Sequence, residues 1–351
     1  MTASSETHTR ILIVGPSWVG DMVMAQVLFI VLKQRYPDCR ITVLAPAWSR
    51  PLLERMPEVD AAVDMPVGHG SLDLGSRRDL ASKLAAQGYD WAIVLPNSLK
   101  SALIPAFAGI PRRTGWRGEM RFWLLNDIRL LHKTSYPLMV ERFVALAYPP
   151  NHTLPKPLPN PKLRVNVTRV AELKTRLGLD EERPVLALCP GAEFGPAKRW
   201  PEAYYAEVAS EMITRGWQVW LQGSERDQPV AETIIAALPE SARAMAFNLA
   251  GSTELAEAID LLSAATLVVS NDSGLMHVAA ALERPLVVVY GSTSPDFTPP
   301  LADKVEVLSI PVDCGPCFQR ECPKQHLKCL NDLKPDMALA AIDRLLSATE
   351  T

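Results

Sequence analysis

Asp21 closes a turn, Gly15-Pro16-Ser17-Trp18-Val19-Gly20-Asp21, set between the apolar run Ile11–Val14 and a long apolar stretch of helical character. Glycine permits such a turn, and the helix that follows presents unpaired N–H groups to any ligand above it. A carboxylate at that place does one of two jobs. It caps the helix, or it stays ionised beside the positive helix end and accepts a proton from a substrate. Spacing leaves both open. The turn is not a dinucleotide fingerprint, because it lacks G-x-G-x-x-G, and it is not a phosphate-binding Walker loop, because it lacks G-K-[ST].

A second loop of the same kind is Ser270-Asn271-Asp272-Ser273-Gly274-Leu275-Met276-His277. Asp272 and Ser273 are cap residues, Gly274 lets a ligand approach the backbone, and the free N–H groups of the helix start suit a phosphate or pyrophosphate. His277, one turn further, is either a catalyst or a packed polar residue, and packing is the commoner role. A third loop, Pro190–Pro201, carries two glycines and the pair Lys198-Arg199, whose charge would neutralise a departing phosphate unless it is merely solvated. Arg112, Arg113, Arg117 and Arg121 cluster around Trp116, which suggests an anionic acceptor or lipid head groups, unless the stretch is a solvated surface loop. Cys314, Cys317, Cys322 and Cys329 follow the spacing C-x2-C-x4-C-x6-C with His326 among them. Zinc at these four is conceivable, but the spacing is not a paired knuckle, and free or transiently oxidised thiols are the preferred reading.

The elements that must position these residues alternate regularly. Short apolar strands at Ile11–Val14, Ile41–Ala45, Ala61–Asp64 and Trp91–Leu95 are separated by helical stretches at 21–35, 48–56, 76–87 and 98–107. This is the pattern of parallel βαβ units. Tyr148–Pro161 holds six prolines and reads as a linker, so two halves, 1–165 and 166–351, are expected. The second half repeats the alternation from Val185–Cys189 to Leu286–Tyr290, and a last helix at 335–348 is free to pack back on the first half. Two doubly wound halves predict a ligand cleft at the carboxyl ends of their strands.

The whole-chain totals agree. At 351 residues, 48% hydrophobic and 21% charged, each half has enough apolar residues for a core. A formal charge of −3 gives no general pull toward nucleic acid. The polar opening Met1–Arg10 lacks a signal-peptide core, and Met22–Leu32 is too short to span a bilayer. Reduced cysteines and a cytoplasmic location are therefore expected.

Taken together, Gly15–Met22, Pro96-Asn97-Ser98, Arg113–Met120, Pro190–Trp200 and Asn271–Ala281 resemble the ADP-heptose:lipopolysaccharide heptosyltransferases, and the likeness runs from about Ile11 to Pro300. The resemblance implies an α/β fold of GT-B type, with two Rossmann-like domains, the first for the acceptor and the second for the nucleotide sugar. It implies inverting, metal-independent transfer of L-glycero-D-manno-heptose from ADP-heptose to the first heptose of the lipopolysaccharide inner core. It also implies residue roles. Asp21 matches the general base, Lys198 the lysine on the donor phosphates, and Asp227 an acidic residue near the donor ribose. Asp272, Ser273, Gly274 and His277 match the donor-binding segment, while Asn97, Arg112, Arg113, Trp116 and Arg117 are the acceptor-side candidates. No cofactor is implied beyond the co-substrate. The partners would be ADP-heptose and heptosyl-Kdo-lipid A, with peripheral contact to the cytoplasmic face of the inner membrane and no nucleic acid.

Three rivals differ in what they would do. A nucleotide-sugar epimerase would consume the donor without an acceptor. A nicotinamide-dependent oxidoreductase would need the dinucleotide fingerprint that is missing. A binding module would hold the donor and release no ADP.

Overall fold

The computed structural model describes residues 9–68 and 71–348, so most of the polar opening segment lies outside the described residues. The chain divides into two compact units, 1–161 and 162–351. The second begins at Lys162 because the Leu163 N–H donates to the Ala281 carbonyl at 3.0 Å and Lys162 pairs with Glu283 at 3.1 Å.

In the first unit, β1 (Arg10–Val14), β2 (Arg40–Ala45), β3 (Ala61–Asp64), β4 (Trp91–Val94), β5 (Arg112–Trp116) and β6 (Asp127–Arg129) form one sheet. Their spatial order is β3-β2-β1-β4-β5-β6, and every pairing is parallel. The second unit builds a matching sheet from β7 (Val185–Cys189), β8 (Gln218–Leu221), β9 (Ala246–Asn248), β10 (Leu267–Asn271), β11 (Leu286–Tyr290) and β12 (Val305–Ser309). Its order, β12-β11-β10-β7-β8-β9, is the same doubly wound path. Central strands such as β7, β10 and β11 are buried at every residue, as expected of parallel strands covered on both faces.

The strand order reverses between β1 and β4 in one sheet and between β7 and β10 in the other. Beyond the carboxyl ends of those pairs lie Gly15 and Pro96-Asn97 in the first unit, and Pro190-Gly191 and Asp272 in the second. Such switch points are where doubly wound sheets hold ligands.

Arg112 and Arg113 of the arginine cluster lie in strand β5, Arg112–Trp116, whereas Arg117 and Arg121 fall in the irregular stretch after it. The helix Pro335–Ser347 contributes Ala338, Ala341, Ile342 and Leu345 to the second unit's own core, beside Met212 and Leu308.

Candidate functional site

In the first unit the helix Val19–Arg35 starts with Trp18 at the cap position, and no side chain caps it there. Asp21 therefore lies in the first helical turn rather than at the cap, and it is partly exposed. The turn is tight because Gly15 passes beneath the helix, where an added Cβ would come within 2.7 Å of the Met22 methyl. The Gly15 N–H donates to Leu44 and the Leu95 N–H donates to Val14, which carries the turn onto the switch point.

The neighbouring loops are braced by Arg121, a residue 2% exposed. Its guanidinium donates to the Pro96 carbonyl at 2.7 Å, the Trp116 carbonyl at 2.6 Å and the Asn97 side-chain oxygen at 3.1 Å. Burial pulls its pKa down to about 10, which leaves it charged at neutral pH. Gly118 passes so close to the Asn97 carbonyl that an added Cβ would stand 2.2 Å from the oxygen. The Glu119 carboxylate accepts from the Leu99 N–H at 2.7 Å. Asn97 is thus held in place from both sides, and Arg117 is exposed on the same edge.

Arg112 and Arg113 correct the expected acceptor patch. They open β5, and Arg112 stands opposite Trp91, the first residue of β4, so both lie at the amino edge of the sheet, away from Asp21. Arg112 pairs with Asp127 at 3.1 Å and covers the Trp91 ring, while Arg113 donates to the carbonyls of Leu124 and Ile110. Trp116 is buried, and its indole N–H donates to the Arg142 carbonyl at 3.0 Å. All three are framework residues. Asp127, gripped by Arg129 and Thr114, is held down to about 2 despite a burial effect that would raise it.

In the second unit Lys198 and Asp272 meet. Lys198 Nζ lies 2.6 Å from Asp272 Oδ2, and the Thr293 hydroxyl donates to that same oxygen at 2.5 Å. Asp272 is 3% exposed, so its charge is spent on these partners and not on a ligand. Asn271 holds the geometry: its oxygen accepts from the Trp200 N–H and the Tyr205 hydroxyl, and its amide donates to the Pro190 carbonyl at 2.6 Å. Ser273 caps the helix Gly274–Ala281 by accepting from Met276, which sets the helix start beside the Lys198–Asp272 pair. A lysine beside a helix start is an arrangement suited to an anion.

His277 belongs to the packed reading. It is 5% exposed, and burial, with a smaller opposing pull from Asp272, lowers its pKa to about 4. The ring is neutral at ordinary pH and brings no positive charge to a phosphate. Asp227 follows β8, where its carboxylate accepts from the Ser224 N–H and hydroxyl at 2.8 Å each. Gly191 and Gly223 flank it so closely that a Cβ on either would meet the carboxylate at 2.5 to 2.8 Å. Asp227 is thereby fixed next to the end of β7.

Thr293 was not legible as a site residue, since a lone threonine after a strand carries no signal. Gln222, buried after β8 with neither amide atom hydrogen-bonded, gave no signal either. Among the described residues no group of three or more His, Cys, Asp or Glu side chains is arranged to hold a metal ion. No helix among them is long and apolar enough to cross a membrane.

Residues 77–328 match the model of glycosyltransferase family 9 (heptosyltransferase). The chain belongs to that family. It is 50% identical to lipopolysaccharide heptosyltransferase 2 of Escherichia coli strain K12, over 97% of this chain and 99% of that protein. It is also 50% identical to lipooligosaccharide heptosyltransferase 2 of Haemophilus influenzae, over 96% and 99% of the two chains. The solved E. coli ADP-heptose lipopolysaccharide heptosyltransferase II superposes with a TM-score of 0.89 at 48% identity, covering 98% of this chain and 100% of that one. The family fold is therefore the GT-B arrangement of two Rossmann-like halves expected from the sequence.

Proposed function

We propose that this family 9 enzyme transfers L-glycero-D-manno-heptose from ADP-heptose to the first heptose of the lipopolysaccharide inner core, with inversion and release of ADP. The observation that carries this reading is the full-length likeness, near 50%, to enzymes named heptosyltransferase 2; the placement of Lys198 and the Ser273 helix start at the second sheet's switch point supports it. In this reading Lys198, held by Asp272, and the helix start at Ser273-Gly274 take the charge that grows on the departing diphosphate. Asp227 accepts hydroxyls of the donor ribose, as a fixed carboxylate beside glycines is suited to do. Asp21 takes the proton of the acceptor hydroxyl as the anomeric carbon gains oxocarbenium character. Asn97 and Arg117 bind the acceptor. The relatives, named as transferases along almost the whole chain, do not favour the epimerase alternative. The test is ADP release from ADP-heptose with a core acceptor carrying one heptose. Release only on a heptose-free core would reassign the acceptor, and donor turnover without acceptor would overturn the transferase reading.

A second reading concerns location. Met120, Phe122, Trp123 and Leu130 are exposed at 74%, 54%, 87% and 53%, in the stretch that follows β5 and includes the edge residue Arg117. An apolar aromatic group next to a cation suits the interfacial zone of a bilayer, where a lipid-anchored acceptor would be found. Peripheral binding at this surface predicts co-sedimentation with anionic vesicles that Phe122→Ser with Trp123→Ser abolishes. Equal sedimentation of both proteins would remove it.

A further inference from the structure

The irregular segment between β12 and the helix Pro335–Ser347 is tied by its backbone to the loop that carries Lys198. The Ala197 N–H donates to the Arg320 carbonyl at 3.0 Å, and the Ala197 carbonyl accepts from the Ser292 N–H at 3.2 Å. The Ser292 carbonyl in turn accepts from the Phe318 N–H at 2.7 Å. Phe318 stands two residues before Arg320, so these bonds close a ring through the loops that follow β7, β11 and β12. Gly195 seals it. A Cβ there would stand 2.4 Å from the Arg320 carbonyl oxygen, so glycine is what lets the two backbones meet.

The ring delivers a side chain. The Arg320 guanidinium carbon lies 5.6 Å from the centre of the Phe194 ring, and Lys198 Nζ lies 4.9 Å from the same centre. Each cation is drawn to the aromatic ring, but the two repel one another. Within the ring of backbone bonds, the Ser292 hydroxyl is buried and has no hydrogen-bond partner among the described residues. A buried hydroxyl without a partner is a cost that a ligand oxygen would remove.

The charges around Lys198 do not by themselves favour a diphosphate. Lys198 is matched by Asp272 at 2.6 Å, so that pair carries no net charge. His277 is neutral, because burial lowers its pKa to about 4. Asp227 brings a further carboxylate. Of the nearby arginines, Arg199 leans on Glu202 at 3.9 Å and Arg226 pairs with Glu193 at 2.9 Å. Arg320 is exposed, and among the described residues no carboxylate pairs with it.

We propose that Arg320 is a second cation of the donor site, and that its guanidinium binds the diphosphate of the nucleotide sugar beside Lys198. The planar fork of an arginine suits two phosphate oxygens at once, which an ammonium does not. As the bond between the anomeric carbon and the diphosphate oxygen breaks, its electron pair stays on that oxygen. The acceptor oxygen bonds to the carbon and passes its proton to Asp21. Charge growing on the departing group strengthens the Arg320 contact in the transition state. This role deepens the transferase reading above and rests on it.

Arg320→Gln and Arg320→Lys, in the full chain, are to be compared with the parent by ADP calorimetry at two salt concentrations and by steady-state kinetics. Both keep the backbone bonds and replace an exposed side chain, so the melting temperature should hold. Arg320→Gln should weaken ADP binding about tenfold, lower kcat at least about tenfold and leave the acceptor KM unchanged. Arg320→Lys should restore most of the ADP affinity. Added salt should weaken ADP binding less steeply in Arg320→Gln than in the parent, because one charged contact is gone. ADP affinity and kcat of Arg320→Gln within about twofold of the parent overturn the assignment. Equal losses in both variants overturn it as well, since they would report the fit of the segment and not its charge. A parent chain that binds no ADP overturns the transferase reading and this assignment together, whereas unaffected variants of an active parent leave that reading standing.

Discussion

Lys198 and Asp272 form a 2.6 Å ion pair whose members are 13% and 3% exposed at their side chains, with Thr293 donating to the same carboxylate oxygen. A buried charge left alone is costly, so the two must be altered together to separate folding from chemistry. Lys198→Met should destabilise the protein by about 3 kcal/mol and raise the donor KM as well as lower kcat. Lys198→Met with Asp272→Asn should recover much of the melting temperature and none of the turnover. Thermal unfolding and steady-state kinetics on the same samples check this, and recovered turnover would dismiss the clamp.

Asp21→Asn keeps the shape of the first helical turn and removes the proton acceptor. Turnover should fall by a factor on the order of 10²–10⁴ while ADP-heptose binding by calorimetry stays within about twofold. Turnover within about threefold of the parent would mean that the carboxylate serves the helix end alone.

Arg112→Ala and Arg117→Ala should part company. Arg112 supports the amino edge of the sheet through an exposed pair with Asp127, so its loss should cost less than about 1 kcal/mol and leave the acceptor KM unchanged. Arg117 stands at the carboxyl edge, and its loss should raise the acceptor KM alone. Acceptor titrations at fixed donor concentration decide between them.

His277 ties stability to pH. Its folded pKa, about 4, lies below the ordinary 6.5 because burial disfavours the charged ring. Between those values the unfolded chain binds a proton that the folded chain does not, so stability falls as pH drops from 6.5 toward 4. The loss attributable to this residue approaches about 3 kcal/mol near pH 4. His277→Gln should flatten that part of a urea-unfolding series. An unchanged slope would show that the ring titrates normally.

Much of this was legible in the sequence because parallel strands announce themselves as uninterrupted apolar runs. β1, β2, β7, β10 and β11 are of that kind, and their loops carried Asp21, Lys198 and Ser273-Gly274 to the switch points. β5 was missed because Arg-Arg-Thr-Gly-Trp looks polar. Its arginines begin the strand and bond to neighbouring backbone and to Asp127, so their charge reports support of the sheet, not a ligand. β12, with only Leu308 buried, was hidden for the opposite reason: an edge strand need not be greasy. The Lys198–Asp272 pair was invisible because its members are 74 positions apart, and only the strand order brings β7's loop beside β10.

The exposure of Trp123 has a practical side. Of the eight tryptophans, Trp91, Trp116, Trp200, Trp217 and Trp220 are buried, and Trp18 and Trp48 are less than half exposed. Trp123 is therefore the indole that meets solvent most fully, and the chain carries its own fluorescent probe on the surface proposed to meet lipid. Quenching by a water-soluble ion and by a bromine-labelled acyl chain would report, without any label on the protein, whether that indole enters a bilayer or stays in water.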